Sequence, residues 1–216
     1  MLDLERLAVA PAPGERARQW SSYDRTTRYD RLALSRYVRW AANADGRGII
    51  REEDGRHVLA EMEGPGVIWR IWSAKPMSGH VRIYLDGAAE PVLDLPFSDY
   101  FTGKEPPLKG EALCYTSAAG KNCCVPIPYQ RSCRIVADPD WGAYYHFTYI
   151  TFPKGTVVPT FTRALGAEAK AALAEANAFL AKKLGTDPAG PRQGDCLLYT
   201  SPSPRDLSTS RMPSSA

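Results

Sequence analysis

The chain has 216 residues, of which 44% are hydrophobic and 24% are charged, and its formal net charge is +3 at pH 7. This composition is typical of a soluble globular protein with one large domain or two small ones. No apolar run approaches the roughly 20 residues that span a bilayer, and a charge so near zero argues against a nucleic-acid or membrane partner.

The chain begins with a stretch that we interpret as an N-terminal arm, residues 1–20, because Pro11 and Pro13 oppose regular structure there. The stretch carries acids and arginines and lacks the apolar core of a signal peptide. We therefore expect a cytoplasmic location.

The segment from Ser21 to Arg31, SSYDRTTRYDR, is dense in hydroxyl, tyrosine, aspartate and arginine side chains. One interpretation is a polar loop that lines a polyol-binding pocket. The other is a solvated turn with local ion pairs, each contributing about 0–1 kcal/mol, and the spacing favours this second reading. The candidate substrate-binding residues are Tyr23, Asp24, Arg25 and Thr26.

The next two segments carry weaker signals. Leu32 to Ala42 fits a strand or a short helix, and the residues do not decide between them. Asn43 to Asp54 resembles a calcium loop only superficially, because it lacks the spaced carboxylates that bind the ion. We expect a surface turn.

The stretch from Val58 to Gly87 predicts three short strands separated by turns. Val67 to Ser73 and Val81 to Asp86 alternate with the two-residue period of a strand. Gly64-Pro65-Gly66 and Asp86-Gly87 are favoured turn sequences. Within the third strand, Val81, Ile83 and Leu85 should face a core.

Further strands are expected along the rest of the domain. They are an edge strand within Pro91 to Phe101, a proline-interrupted edge strand from Cys123 to Tyr129, and strands at Cys133 to Ala137 and Tyr144 to Phe152. Turn signals every 8–12 residues favour a jelly-roll β-sandwich over residues 21–162. The predicted fold class is therefore mainly β, with a jelly-roll β-sandwich followed by one amphipathic α-helix.

The helix is predicted within residues 163–188. Apolar residues recur there at three- and four-residue steps, namely Leu165, Ala169, Leu173, Ala176, Leu180 and Leu184. Gly185 suits the position after a helix end, and Pro188 follows. We interpret this helix as a brace between domains.

No cofactor or metal site is predicted. The sequence has no nucleotide-binding, serine-hydrolase or zinc-protease motif. Cys114, Cys123, Cys124 and Cys133 form no CxxC pair and are expected to be buried reduced thiols. The tryptophans Trp40, Trp69, Trp72 and Trp141 fit either sugar stacking or the core, and the core is the commoner role.

Five carboxylates along the strands, Glu61, Glu63, Asp86, Asp94 and Asp99, have the chemistry of an acid–base pair. Salt bridges at strand ends and turn capping are the commoner roles for such residues. The sequence alone assigns none of them to catalysis.

The last residues are expected to be foreign to the natural protein. Cys196 to Asp206, CLLYTSPSPRD, back-translates codon by codon to a transposase sequencing adapter, and Ser210 to Ala216 fits the downstream adapter. Residues 189–216 are then a disordered or non-native tail, and the natural chain is expected to continue beyond Asp195. Without Arg205, Arg211 and Asp206 the net charge becomes +2.

Several ordered motifs resemble one family, the family-172 glycoside hydrolases. They are SSYDRT (21–26), AEMEGPGVIWRIWSA (60–74), VRIYLDG (81–87), PFSDYF (96–101), VPIPYQRSCRI (125–135) and YYHFTYITFPKGT (144–156). The resemblance runs from about Leu4 to Pro188. Family members often have Gly-Gly-Asn after the first motif, where this chain has Thr27-Arg28-Tyr29, so the substrate of this chain is open.

The resemblance implies two tandem jelly rolls that assemble into trimers or hexamers. It also implies retaining cleavage of furanosides, such as fructofuranosyl or arabinofuranosyl linkages, by a glutamate pair in the second half of the protein. We therefore assign no catalytic residue to this chain and expect the fragment to be inactive. The motif around Glu61 and Glu63 is interpreted as framework.

Two other functions are compatible with the sequence. The first is a non-catalytic jelly roll for carbohydrate binding or assembly. The second, weaker one is nucleic-acid binding through Arg25, Arg28, Arg31, Arg36 and Arg39. A phosphate-driven complex would weaken steeply with salt.

Overall fold

A computed structural model gives the structure of the protein and describes residues 9–25, 28–30, 32, 36–38, 45–183 and 186. The chain divides into a compact unit, residues 1–182, and a second unit, residues 183–216. In the second unit the structure describes only Lys183 and Thr186, and the Thr186 N–H donates to the Lys183 carbonyl at 3.0 Å. The adapter-like residues 196–216 lie outside the described residues.

Two antiparallel sheets form the domain. Sheet I has the order β1-β13-β6-β10-β9, with β11 also paired to β6, and sheet II has the order β4-β5-β12-β7-β8. The strands of sheet I are β1 Arg16–Ser21, β6 Gly66–Pro76, β9 Cys114–Ser117, β10 Gly120–Cys123, β11 Ile127–Tyr129 and β13 Gly142–Thr151. Those of sheet II are β4 Arg51–Glu53, β5 Arg56–Glu63, β7 His80–Leu85, β8 Leu93–Pro96 and β12 Ser132–Ala137, while β2 Arg28–Asp30 pairs with β3 Arg36–Val38.

The three strands predicted between Val58 and Gly87 are confirmed as β5, β6 and β7. Strand β7 alternates as expected, because Val81, Ile83 and Leu85 are buried. Since β5 and β7 lie in sheet II and β6 lies in sheet I, the chain crosses between the sheets at each turn. This crossing pattern produces a two-layer sandwich.

The core lies between the two sheets. Aromatic residues fill it, and Trp141 packs edge-on against Phe97 and Tyr145, with ring centroids 6.1 and 5.4 Å apart. A short 3-10 helix, Phe97–Phe101, follows the edge strand β8 and contributes Phe97 and Tyr100. The two antiparallel sheets, followed by one α-helix, confirm the mainly β sandwich expected from the sequence.

The interpretation of residues 1–20 as an arm is wrong for its last part. Arg16–Ser21 is strand β1, paired with β13 from Arg16 opposite Thr151 to Ser21 opposite His146. The strand is at the edge of sheet I and its first four residues are exposed, so its sequence shows no alternation of buried and exposed positions. Only its long-range backbone pairing makes it a strand.

The single strand expected from Cys123 to Tyr129 is two strands. β10 ends at Cys123, β11 begins at Ile127, and both pair with β6 at different places along it. Pro126 and Pro128 lack the N–H groups that a continuous ladder requires. The undecided segment from Leu32 to Ala42 contains a strand, β3, although most of its residues lie outside the described ones.

The helix is confirmed but begins later than Arg163. It runs over Ala167–Lys183, with Ala176 buried and with Leu173 and Leu180 half-buried against the core. Ala169 is exposed, so the buried stripe is narrower than the sequence pattern indicates. Among the described residues, no helix is both long enough and apolar enough to cross a membrane.

Candidate functional site

The loop after β1 carries the sequence-predicted sugar contacts, and Ser22 fastens it to the domain. The Ser22 N–H donates to the Tyr145 carbonyl at 3.2 Å, and the Ser22 hydroxyl accepts from the Tyr145 N–H at 3.2 Å. The Ser22 carbonyl accepts from the N–H groups of Gly46 and Gly48, at 2.8 and 3.2 Å. Because Ser22 is buried, these four bonds fix where the loop emerges.

The guanidinium of Arg25 folds this loop back on itself. It donates to the Ser21 carbonyl at 2.8 Å and to the Tyr23 carbonyl at 3.3 Å. The same group lies over the Tyr23 ring, 4.1 Å from its centroid, and 5.8 Å from the centroid of Trp20. Two of the Arg25 nitrogens therefore bind carbonyls of its own loop. This supports the interpretation of the segment as a turn held by local contacts over that of a sugar-binding loop.

The other candidate residues have different positions. Tyr23 is 54% exposed, and Arg25 covers one face of its ring. Asp24 is half-buried in the same loop, and Thr26 lies outside the described residues. A Cβ at Gly48 would lie 1.9 Å from the Tyr23 carbonyl oxygen, so the loop requires glycine at that position.

Beside this loop, five side chains form a row straight across sheet I. Ser21 is opposite His146, His146 is opposite Trp72, Trp72 is opposite Asn122, and Asn122 is opposite Tyr115. Core residues flank four of them along the strands, namely Tyr145 and Phe147 beside His146, Ile71 beside Trp72, Cys123 beside Asn122 and Cys114 beside Tyr115. The row therefore faces away from the core, since successive side chains in a strand point to opposite faces, and within it Asn122 is covered to 3% exposure. We call Ser21, His146, Trp72, Asn122 and Tyr115 the cross-sheet row.

Aromatic and planar polar groups meet in the cross-sheet row. The rings of Trp72 and His146 stack with centroids 4.5 Å apart and an interplanar angle of 29°. Arg70 lies two residues before Trp72 on β6. It donates a hydrogen bond from Nε to the Asn122 side-chain oxygen at 2.9 Å. Burial lowers the pKa of His146, the charge of Arg70 lowers it further, and Asp45 opposes them, so the ring is neutral at pH 7.

The sequence did not point to His146, Asn122, Tyr115 or Arg70. Each occupies an ordinary strand position, and only the register of four strands, β13, β6, β10 and β9, brings them together. Trp72 was one of four tryptophans noted for sugar stacking or the core. Trp141 is a core residue at 1% exposure, while Trp72 is half-buried on the outer face.

Glu61, one of the candidate carboxylates, is held by arginines on sheet II. It accepts two hydrogen bonds from Arg51, at 2.7 and 2.8 Å, and Arg134 lies 3.6 Å away. The hydrogen bonds from Arg51 lower the pKa of Glu61, against the effect of burial. A carboxylate with a lowered pKa is a poor general acid, and Arg51 binds both Glu61 oxygens, which supports the interpretation of Glu61 as framework.

Asp86 and Asp94 also have structural partners. Burial opposes ionisation of Asp86, but hydrogen bonds from Thr160 and from the N–H groups of Arg131, Ser132 and Gln130 outweigh it and lower the pKa. Asp94 pairs with Arg82 at 3.1 Å and with His80 at 2.6 Å. Asp99 accepts from the Ser98 hydroxyl, and Glu63 is exposed at a strand end.

A separate cleft of about 570 Å³ lies between the helix and the loop at residues 106–110. Its walls are mostly apolar, with Pro106, Leu165 and Leu173 among them, and Lys109, Arg163 and Lys170 also line it. None of the residues expected to contact sugar lines this cleft.

In the described part of the chain, there is no group of three or more His, Cys, Asp or Glu residues that could hold a metal ion.

The fold and the cross-sheet row define a two-layer β-sandwich with a polar and aromatic outer face. A family model described as "GH172 first beta-sandwich domain" matches residues 13–169, which is most of the chain. The chain therefore belongs to the GH172 family and is a β-sandwich domain related to glycoside hydrolases. No curated protein matches the chain.

Proposed function

We propose that this chain is the sugar-contacting first sandwich of a retaining glycoside hydrolase, or of a related transglycosylase, that acts on furanosides. Fructofuranosyl and arabinofuranosyl linkages are the proposed substrates. The observation that carries the proposal is the cross-sheet row beside the Tyr23–Arg25 loop, in a domain of the GH172 family.

The chemistry of the row suits a sugar. Aromatic rings pack on the C–H faces of sugars, while planar polar side chains bind adjacent hydroxyls. Trp72 and Tyr115 supply the rings, and Tyr115 is 39% exposed. Arg70 donates from Nε to Asn122, and among the described residues its two terminal nitrogens have no hydrogen-bond partner, so both are available to bind hydroxyl oxygens.

The proposed chemistry needs a carboxylate pair from elsewhere. Retention requires two carboxyl groups about 5–5.5 Å apart, one as nucleophile and one as acid–base. Glu61, Asp86 and Asp94 are engaged in ion pairs or backbone hydrogen bonds, which supports placing the pair in a second sandwich domain. We propose that residues 1–195 alone turn over no substrate.

The test is a stereochemical assay on the longer protein. The natural gene is read past codon 195, the complete product is incubated with a panel of fructofuranosides and arabinofuranosides, and the first-formed anomer is followed by NMR. Retention with one of them supports the proposal. Failure to cleave any furanoside, or inversion, contradicts it.

A second candidate function is a non-catalytic jelly roll for carbohydrate binding or assembly. The ion pairs of Glu61 with Arg51 and of Asp94 with Arg82 favour this function, because carboxylates held by arginines are poor general acids. Saccharide binding by the complete protein without turnover of any panel member would support it. Turnover that depends on a carboxylate pair would exclude it.

We further propose that the complete protein is a cytoplasmic homotrimer or homohexamer. Multi-angle light scattering of the complete protein tests the assembly, and a monomer at micromolar concentration would contradict it. We propose no nucleic-acid partner. Arg25 is engaged by its own loop, and the side chains of Arg28, Arg31, Arg36 and Arg39 lie outside the described residues.

A further inference from the structure

Two thiols face each other across the hairpin formed by β9 and β10. Ser117 pairs with Gly120 next to the turn, and Cys114 pairs with Cys123 at the far end. Ala118 in the turn has a φ of 50°, as the tight two-residue turns of hairpins require. The two cysteines are thus directly opposite residues of one antiparallel ladder.

Cys114 and Cys123 occupy the type of antiparallel pair in which the two Cα atoms lie closest together. In an antiparallel ladder, hydrogen-bonded and non-hydrogen-bonded pairs alternate. The Cys124 N–H donates to the Leu113 carbonyl at 2.8 Å, which marks Leu113 and Cys124 as a hydrogen-bonded pair. Cys114 and Cys123 are therefore a non-hydrogen-bonded pair, whose Cα atoms approach to about 4.5 Å. Disulfides accept Cα separations of roughly 4.4–6.8 Å.

Both side chains point into the core. Cys123 is 0% exposed and Cys114 is 5% exposed, whereas the neighbouring Cys124 is only half-buried. The hydrogen bond with the Cys123 thiol lowers the pKa of Cys114, despite burial, and the Gly103 N–H adds to the effect. The same contact and burial raise the pKa of Cys123, so Cys114 ionises first.

We propose that Cys114 and Cys123 form a thiol–disulfide exchange site, which a low-molecular-weight disulfide such as oxidised glutathione converts to a cross-strand disulfide. The Cys114 thiolate attacks one sulfur of the small disulfide, which breaks that S–S bond and releases one thiolate. The Cys123 thiolate then attacks the Cys114 sulfur of the mixed disulfide and releases the second. Two protein thiols are oxidised, one small disulfide is reduced to two thiols, and the two protons go to the released thiolates.

The position of the hairpin gives the oxidant a route. Strand β9 is the outermost strand of sheet I, and edge strands open more readily than central ones. Tyr115 and Asn122, next to the cysteines, belong to the cross-sheet row on the opposite face. Oxidation therefore joins covalently the two strands that carry this end of the row.

The experiment uses the full chain, folded, in buffers with graded ratios of oxidised to reduced glutathione. Samples are quenched in acid, alkylated and digested with trypsin, which cuts between the two cysteines at Lys121. We expect peptides 110–121 and 122–131 to be joined, with the mass of the linked species lower by two hydrogens. Cys124→Ser and Cys133→Ser should keep the link, and this identifies Cys123 as the partner.

The variants also test the order of attack. Cys123→Ser should accumulate a glutathione adduct at Cys114, and Cys114→Ser should lose the link. Wild-type and Cys124→Ser proteins decide the outcome without altering the pair, so a misfolded Cys114 or Cys123 variant does not remove the test. The proposal is overturned by a Cys114–Cys124 link, by a Cys123–Cys124 link, or by free thiols at every glutathione ratio.

Discussion

The hydroxyl of Tyr145 donates a 2.8 Å hydrogen bond to the carbonyl of Leu59 and so joins the two sheets across the core. The ladder between β5 and β12 shifts register between Ile135 and Val136, which leaves Leu59 without a pairing partner in β12. Trp20 makes a second bond of this kind, from its indole N–H to the Glu61 carbonyl at 2.9 Å. Both acceptors belong to β5.

Tyr145→Phe should destabilise the domain by about 1–3 kcal/mol, because the buried Leu59 carbonyl loses its donor. Urea unfolding followed by tryptophan fluorescence measures the change. The matched control is Tyr144→Phe, on an exposed neighbouring side chain, which should stay within about 0.5 kcal/mol of wild type. Equal effects of the two substitutions would contradict the inter-sheet role of Tyr145.

Stability should fall in acid because of two ion-paired carboxylates. A hydrogen bond from Arg82 lowers the pKa of Asp138 below 3.8, and one from Arg51 lowers the pKa of Glu61 below 4.5. A lowered pKa contributes stability that is full above the unfolded-state value and is lost as the pH falls through the folded-state value. The free energy of unfolding should therefore drop as the pH falls below about 4.

Asp138→Asn should flatten this acid dependence and cost on the order of 1 kcal/mol at pH 7, because it removes the negative charge and one of the two oxygens that accept from Arg82. Urea unfolding at a series of pH values gives both quantities. Glu63→Gln, at an exposed strand end, is the control and should keep the wild-type slope. A wild-type slope in Asp138→Asn would count against the assignment.

Gly48→Ala should loosen the Tyr23–Arg25 loop. The added methyl would lie 1.9 Å from the Tyr23 carbonyl oxygen, so the loop must move. Limited trypsin cleavage after Arg25 should become several-fold faster, since loop opening exposes the bond. Gly55→Ala is the comparison, because nothing lies within 4 Å of its Cβ although its φ of 71° adds strain. Equal cleavage rates in the two variants would refute the close approach.

Trp72→Ala should weaken saccharide binding by the complete protein about 2- to 12-fold, because a stacked aromatic ring contributes about 0.5–1.5 kcal/mol. Calorimetric titration with the saccharide that the proposed enzyme cleaves measures the change. Tyr84→Ala, on the outer face of sheet II, is the matched aromatic control and should bind like wild type. Unchanged affinity in folded Trp72→Ala would remove the cross-sheet row from the binding site.

Asn177→Ala should release the helix from the loop at residues 110–112. The Asn177 side-chain oxygen accepts from the Ala112 N–H at 2.9 Å, and a loss of about 1 kcal/mol is expected. Hydrogen exchange at the Ala112 amide should speed up roughly five-fold, which corresponds to that energy. Lys182→Ala, exposed at the helix end, should leave the rate unchanged, and protection that survives in Asn177→Ala would argue against the contact.

Local patterns were sufficient to predict the central strands. The two-residue alternation from Val81 to Leu85 and the turn at Gly64-Pro65-Gly66 depend on neighbouring residues only, and both agree with the structure. The periodicity of the helix was also visible, although its start was set four residues too early. Strand β1 was missed because an exposed edge strand has no buried face to produce a pattern.

The sequence by itself determined the family, the sandwich class and the loop that holds Tyr23 and Arg25. The tertiary structure decided which side chains meet. Cys114 and Cys123, or Trp72 and His146, become neighbours through strand register, and a shift of one residue would turn every side chain of a strand to the other face. The β6–β13 register is set by contacts between residues distant in the chain, so the Trp72–His146 pair could not be inferred from local spacing, whereas the Cys114–Cys123 register depends on the hairpin turn between β9 and β10.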